Sequence, residues 1–236
     1  MDVAKRNVIT IEDPVEYRLE GVHQMQVNHK IGLTFGQGLR NILRQDPDII
    51  MVGECRDLET AEMAIQASLT GHIVFSTIHT NDAIGVISRL LDMAIDPFLV
   101  ASSMTLAIAQ RLVRTICPEC KLQVDGSEVI SKLETDGVSD AKLEQLGIHI
   151  DPELQYAIGR GRGCNHCRGT GYLGRQAVFE VFQMTNEYRH IIMAENYNAD
   201  ELRALAAKDG MRTQVQSGLA LVEQGETTHE EVIRVL

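Results

Sequence analysis

The chain has 236 residues, 44% of them hydrophobic, and 33 acidic side chains against 22 basic ones give a formal charge of −11 at pH 7. That hydrophobic content excludes a disordered chain, and the negative balance disfavours non-specific binding to nucleic acid or anionic lipid. MDVAKRNVITIEDP lacks the apolar segment of a signal peptide, and the longest greasy run, FLVASSMTLAIA, is too short and too rich in hydroxyls to span a bilayer, so a soluble cytoplasmic protein with no direct membrane span is predicted.

Taken in order, the first segment NVITIE (7–12) is β-branched, apolar and closed by an acid. Thr34 is placed to cap a helix through Leu39, Ile42 and Leu43, which stops before Asp46-Pro47 because the residue preceding proline avoids helical angles. DIIMVGE (48–54) repeats the strand form and again ends on a carboxylate, Glu54. Asp57 can cap a helix with Ala61, Ala64 and Ile65 on one face and Gly71 as its stop. HIVFSTIH (72–79) is the third such strand, and Asn81 or Asp82 can start the next helix. Continuous rather than alternating apolar character marks strands covered on both faces, so the order strand–helix–strand–helix predicts an α/β layer sandwich with a parallel sheet. After Cys117 the composition turns polar, with short helical patterns near Val129–Leu133 and Leu143–Leu146, and glycine dominates 159–174. The tail returns to helices, one opened by Asp200-Glu201 and another running from about Thr213 to Glu223. The expected division is a core over 1–116, a four-cysteine subdomain over 117–175 and a helical lobe over 176–236.

Ligands of parallel sheets gather at the carboxyl ends of the strands. Glu12, Asp13, Glu16, Glu54, His72 and His79 are all expected near that edge. So many ionisable groups in one place call for a cation, and Mg²⁺ with a polyphosphate is the common solution, with a neighbouring carboxylate able to orient or deprotonate water.

Four of the five cysteines form two C-x-x-C pairs, CPEC (Cys117, Cys120) and CNHC (Cys164, Cys167). Four thiolates in two knuckles are the usual set for a closed tetrahedral Zn²⁺ site; redox-active pairs or unpaired thiols are the competing readings. Forty-three residues separate the pairs. Stretching a ribbon-length loop that far costs only about 0.8 kcal/mol of closure entropy, against roughly 10 kcal/mol from a structural zinc. His166 sits inside the second knuckle and is expected to face outward.

NVITIEDPVEY, ILRQDPDIIMVGECRDLETAEMAIQASLTGH and GHIVFSTIHTNDA resemble the aspartate box, Walker B region and histidine box of the type II secretion and type IV pilus assembly ATPases, and the likeness continues through QRLVRTICPEC and CRGTGYLGRQAVFEV. The resemblance implies a RecA-like core. It also implies a homo-hexamer, ATP with Mg²⁺, a tetracysteine zinc lobe, and partnership with an inner-membrane platform protein and a cytoplasmic anchor of the machine. It makes Glu54 the Walker B glutamate, Glu12 and Asp13 the aspartate-box acids, and His72 and His79 the histidine-box residues near the γ-phosphate. Glu16, Gly53, Arg56 and Thr77 complete the candidate nucleotide contacts. Cys55 stands where an aliphatic residue is expected and is read as a small hydrophobe. The phosphate loop G-x-x-x-x-G-K-[ST] is missing from the sequence; IGLTFGQG and GRGRGC lack its Gly-Lys-Ser/Thr ending. The chain therefore reads as the C-terminal part of such an ATPase, with a core incomplete at its N-terminus and inactive alone. A non-catalytic binding or oligomerisation module is the alternative.

Overall fold

The computed structural model describes residues 5–159 and 163–236, so residues 160–162 of the glycine-rich stretch lie outside the described part. In chain order the elements are β1 (Val8–Glu12), β2 (His23–Gln26), α1 (Phe35–Ile42), β3 (Ile49–Val52), α2 (Leu58–Leu69), β4 (Ile73–Ser76), α3 (Gly85–Asp92), α4 (Pro97–Ser103) and β5 (Leu106–Ile116). There follow β6 (Lys121–Asp125), α5 (Gly126–Thr135), α6 (Asp140–Leu146), β7 (Gln155–Gly159), β8 (Tyr172–Gln183), α7 (Asn186–Ile192), α8 (Ala199–Lys208), α9 (Gln214–Glu223) and α10 (His229–Val235). They pack as two compact units, Met1–Ala107 with Phe182–Ala206, and Ile108–Val181 with Ala207–Leu236. This differs from the expected breaks at 116 and 175. The first division falls inside β5, and helices α7 and most of α8 return to the first unit.

The first unit holds a four-stranded parallel sheet in the order β2-β1-β3-β4. β1 is buried along its whole length, as its unbroken apolar run requires. Ile9, Ile11, Ile50 and Val52 from the two central strands pack with Leu39 and Ile42 of α1 to form the core. Thr34 caps α1 by accepting the Gln37 amide, and Asp57 caps α2 by accepting that of Thr60. Gly38 allows α1 to lie close on β1, since a Cβ there would run into Ile11 Cδ1. That assigns a packing role to one glycine of IGLTFGQG. α3 begins at Gly85, three residues later than Asp82. β2, with the sequence HQMQ, is an edge strand that no apolar run announces. β4 forms the other edge, and its Ile73 and Phe75 are each 51% exposed.

In the second unit β5 pairs with β8, and β6 pairs with β7 in antiparallel register. Val113, Val178 and Leu221 form a small core there. α5, α6 and the β6–β7 ladder fill the spacer between the two cysteine pairs. α9 opens with a reciprocal Thr213–Gln216 capping box. Among the described residues no helix is long and apolar enough to cross a membrane.

Candidate functional site

The parallel register brings the polar strand endings of β1, β3 and β4 to one edge. Ile11 pairs with Val52, and Val52 with Ser76. Just past the ladder the Gly53 amide donates to Ile11 O at 2.8 Å, and a Cβ at Gly53 would stand 3.3 Å from Glu12 Cα. A glycine here lets the end of β3 pass close to Glu12 before the chain turns at Glu54.

Glu12 is buried, and its Oε1 accepts from Thr10 Oγ1 at 2.5 Å and from Gln24 Nε2 at 3.0 Å. Gln24 also donates to Tyr17 O and accepts from the Leu19 amide, so one side chain ties the loop after β1 to this acid. Glu54 is likewise buried. Its Oε2 accepts from Arg56 Nε at 2.5 Å and lies 3.5 Å from His79 Nε2. The segment carrying His79 is stitched to β3: the Thr77 hydroxyl donates to Gly53 O at 2.6 Å, and the Cys55 amide donates to Thr77 O at 2.9 Å. Asp13 is exposed next to Glu12, its Oδ2 3.7 Å from His29 Nε2. The site is thus two buried carboxylates at the ends of adjacent strands, a third acid beside them, and the exposed Arg56 and His79 side chains next to Glu54. Hard carboxylate oxygens suit Mg²⁺, and Arg56 with His79 suits phosphate oxygens, so the residues present fit a magnesium nucleotide.

Two expected members fall elsewhere. His72 precedes β4, level with Asp48 at the amino-terminal ends of the strands, because the Ile73 amide donates to Asp48 O. Its Nδ1 lies 2.9 Å from Ala67 O and 3.1 Å from Thr70 Oγ1, at the end of α2. In a parallel sheet a strand's first and last residues lie at opposite ends, about 10 Å apart for four residues, so His72 stands at the end of the sheet away from Glu54 and His79. Glu16 is exposed on the loop after β1, with no hydrogen bond or ion pair to the site among the described residues. Cys55 packs against the core, its thiol 3.2 Å from Ser76 Oγ, in keeping with its reading as a small hydrophobe. Gln24 lies outside the quoted motifs, and Thr10 and Asp82, although inside them, were not read as contacts of the site.

The chain matches the type II/IV secretion system protein family over residues 1–234. It belongs to that family. Among relatives, it is 47% identical over 230 residues to a type II secretion system protein E of Pseudomonas aeruginosa, covering 98% of this chain and 43% of that protein. It is 44% identical over 236 residues to the type II secretion system ATPase E of Vibrio cholerae, covering 100% of this chain and 44% of the relative. To the type IV pilus assembly ATPase PilB of Thermus thermophilus it is 44% identical over 229 residues, covering 97% and 24% respectively. The chain therefore spans less than half the length of these relatives. Among solved structures, the pilus retraction motor PilT with bound ADP aligns with a TM-score of 0.65 at 27% identity, covering 97% of this chain and 52% of that one. The ATPase DotB of Legionella pneumophila aligns with a TM-score of 0.63 at 21% identity, covering 98% and 52%, a likeness of fold.

The second unit of this secretion-family chain carries the cysteine cluster. All four Sγ atoms lie within 4.8 Å of one another, and the Cys117–Cys164, Cys120–Cys167 and Cys164–Cys167 pairs are each 3.8 Å apart. A disulfide needs about 2.05 Å, whereas the edge of a tetrahedron with 2.3 Å metal–sulfur bonds is about 3.8 Å. The donor set therefore fits a closed Zn²⁺-type site. The Cys117 amide donates to Gly171 O, locking one knuckle to the other. Gly171, at φ +76°, supplies the left-handed turn, and its amide donates to Cys167 Sγ at 3.2 Å. The Cys164 amide does the same at 3.1 Å and is the main reason the Cys167 thiol is drawn down to about 6, favouring the thiolate a metal needs. Burial pushes the Cys117 thiol upward. His166 is exposed, outside the ligand set.

Proposed function

We propose that this chain carries the water-activating half of an ATPase that drives assembly of a type II secretion pseudopilus or a type IV pilus. The observation that carries this reading is the convergence of Glu12, Glu54 and His79 at the carboxyl ends of adjacent parallel strands. Glu54 orients water and accepts its proton, while Glu12, fixed by Thr10 and Gln24, shares the acidic edge with Asp13. Arg56 and His79 face developing negative charge on the phosphate side. Magnesium bound at this edge would neutralise phosphate oxygens. Gly53 and Thr77 shape the edge, Gly53 by admitting β3 close to Glu12 and Thr77 by fixing the start of the His79 segment.

The phosphate-binding half is assigned to a part of the protein outside this sequence. β4 supports that assignment: it is a sheet edge with two half-exposed large apolar side chains, a surface that native proteins pair or cover. A strand carrying the phosphate loop is the proposed cover. The relatives' names support a place in the secretion or pilus machine. The working state is proposed as a homo-hexamer on the cytoplasmic side, held near the inner membrane by a platform protein and a cytoplasmic anchor, with no nucleic-acid substrate. The four cysteines hold a structural Zn²⁺ in this reading. A colorimetric phosphate-release assay on the full-length protein tests the function: turnover should require Mg²⁺ and disappear when it is chelated. Absence of ATP turnover in assembled full-length protein would instead favour a binding module.

A further inference from the structure

His79 is 87% exposed, and among the described residues its one ion-pair contact is with Glu54, so its position depends on how the segment around it is anchored. The segment is held at its start by Thr77 on the Gly53–Cys55 turn. It is held at its end by Asp82. Asp82 Oδ1 accepts the Gly85 amide at 2.5 Å, opening α3, and Oδ2 accepts from Arg203 Nε at 3.3 Å and Nη2 at 3.0 Å. A Cβ at Gly85 would press on Asp82 Oδ1 at 2.7 Å, so the glycine lets the carboxylate fold onto the helix start.

Arg203 is itself well placed to act as a fixed post. Its third nitrogen, Nη1, donates to Asp200 Oδ1 at 3.0 Å, leaving every guanidinium nitrogen engaged. Leu202 and Ala206 of the same helix are fully buried, and the Tyr197 hydroxyl just before it lies 3.4 Å from Ser88 Oγ on α3. The Tyr197–Ser88 contact just before α8 and the Arg203–Asp82 pair thus join the α8 region to the start and first turn of α3, and the Asp82 end of the His79 segment is bound to a helix with a buried face.

We propose that Arg203 is a positioning residue: by clamping Asp82 it fixes the 77–85 segment and keeps the His79 imidazole against Glu54. The proposal rests on the ATPase reading above. A half-exposed ion pair adds little to global stability, whereas an ångström-scale misplacement of a group at a reacting centre can cost up to about a hundredfold in rate. The clamp should therefore register in turnover rather than in melting.

The test uses full-length protein and steady-state ATP hydrolysis, with Arg203→Ala, Asp82→Asn, their combination, and Arg203→Lys. Asp82→Asn keeps an oxygen for the Gly85 amide and so spares that contact at the start of α3. Each single variant should lower kcat at least about tenfold with KM for ATP within twofold of wild type. The double variant should be no slower than the worse single one, because both break the same contact. Arg203→Lys should recover part of the loss. Amide hydrogen exchange across 77–85 should accelerate in Arg203→Ala and Asp82→Asn alike; where the alanine also loosens α8, Asp82→Asn decides. Singles within twofold of wild-type kcat, losses that add in the double, or a loss without faster exchange at 77–85 would overturn the clamp. Glu54→Gln separates the two levels. If it turns over normally the ATPase reading itself fails, whereas a dead Glu54→Gln beside fully active Arg203 and Asp82 variants overturns the clamp alone.

Discussion

Glu12, Glu54 and Glu231 are all buried carboxylates, and they differ in their partners. Glu231 has no exposed surface and is saturated by fixed donors: the Arg114 amide, Nε and Nη2, and Arg234 Nε and Nη2, all between 2.7 and 2.9 Å. Burial alone would raise its pKa, but the hydrogen bonds from Arg234 and Arg114 outweigh it and hold it at about 2. It ties α10 to β5 in the second unit, and Arg114 additionally stacks on Tyr172 at 4.2 Å. Arg114→Met should cost about 2–3 kcal/mol of unfolding free energy, read by urea titration. Glu54, by contrast, is met by Arg56 and His79, both largely exposed. Beside Glu231, burial drives His229 down to about 4, its ring edge-on to Tyr156. The sign follows from proton uptake. Between pH 6.5 and 4 the unfolded chain protonates His229 while the folded chain does not, and from 4.5 towards 2 the same holds for Glu231. Stability is therefore full above pH 6.5 and falls as the solution is acidified. Between pH 7 and 4.5 the loss from His229 should be about 2–3 kcal/mol, and His229→Phe should flatten that slope; an unchanged slope would remove His229 as its source. Glu54 and His79 were legible because their motifs are local. Gln24 and Arg203 were not, because each contacts a partner distant in sequence, and His72 was misplaced because proximity along a strand does not mean proximity to its carboxyl end.

The strands with continuous apolar runs, β1, β3 and β4, were readable as elements, as were helices whose caps sit at Thr34, Asp57 and Thr213. β2 was invisible because an edge strand of alternating polar residues needs no hydrophobic run. Register is what turns these elements into a site: one residue of slip between β1 and β3 would carry Glu12 and Glu54 to opposite faces. The close seat of α1 guards that register, so Gly38→Val should destabilise the first unit by about 1–3 kcal/mol through overpacking against Ile11. A thermal melt unchanged in that variant would show that the helix can move away freely. The cysteine pairs were equally legible, since C-x-x-C spacing alone makes a knuckle; their alignment through Cys117 and Gly171 was not. Reduced protein should hold about one zinc per chain by metal analysis, and Cys117→Ser should lose the metal together with ordered structure in the second unit. Zinc well below one per chain in wild type would argue against a metal centre.

Across the whole molecule, the sheet edge with the acids lies in the first unit and the cysteine cluster in the second. The chain spans 43% of the Pseudomonas relative and 44% of the Vibrio one, and its sequence contains no G-x-x-x-x-G-K-[ST] segment. Backbone amides and a lysine on the phosphates supply much of the grip on a nucleotide. This chain alone should therefore show no micromolar affinity for Mg-ATP by titration calorimetry, and tight binding would mean that phosphate contacts exist within these residues. In the proposed function Glu54, gathered with Glu12 and His79 at one sheet edge, activates water. Hydrolysis by full-length Glu54→Gln, measured beside its nucleotide affinity, tests that most directly. Turnover should fall on the order of 10²–10⁴-fold with ATP binding preserved, and near-wild-type hydrolysis by that variant would remove Glu54 from the chemistry.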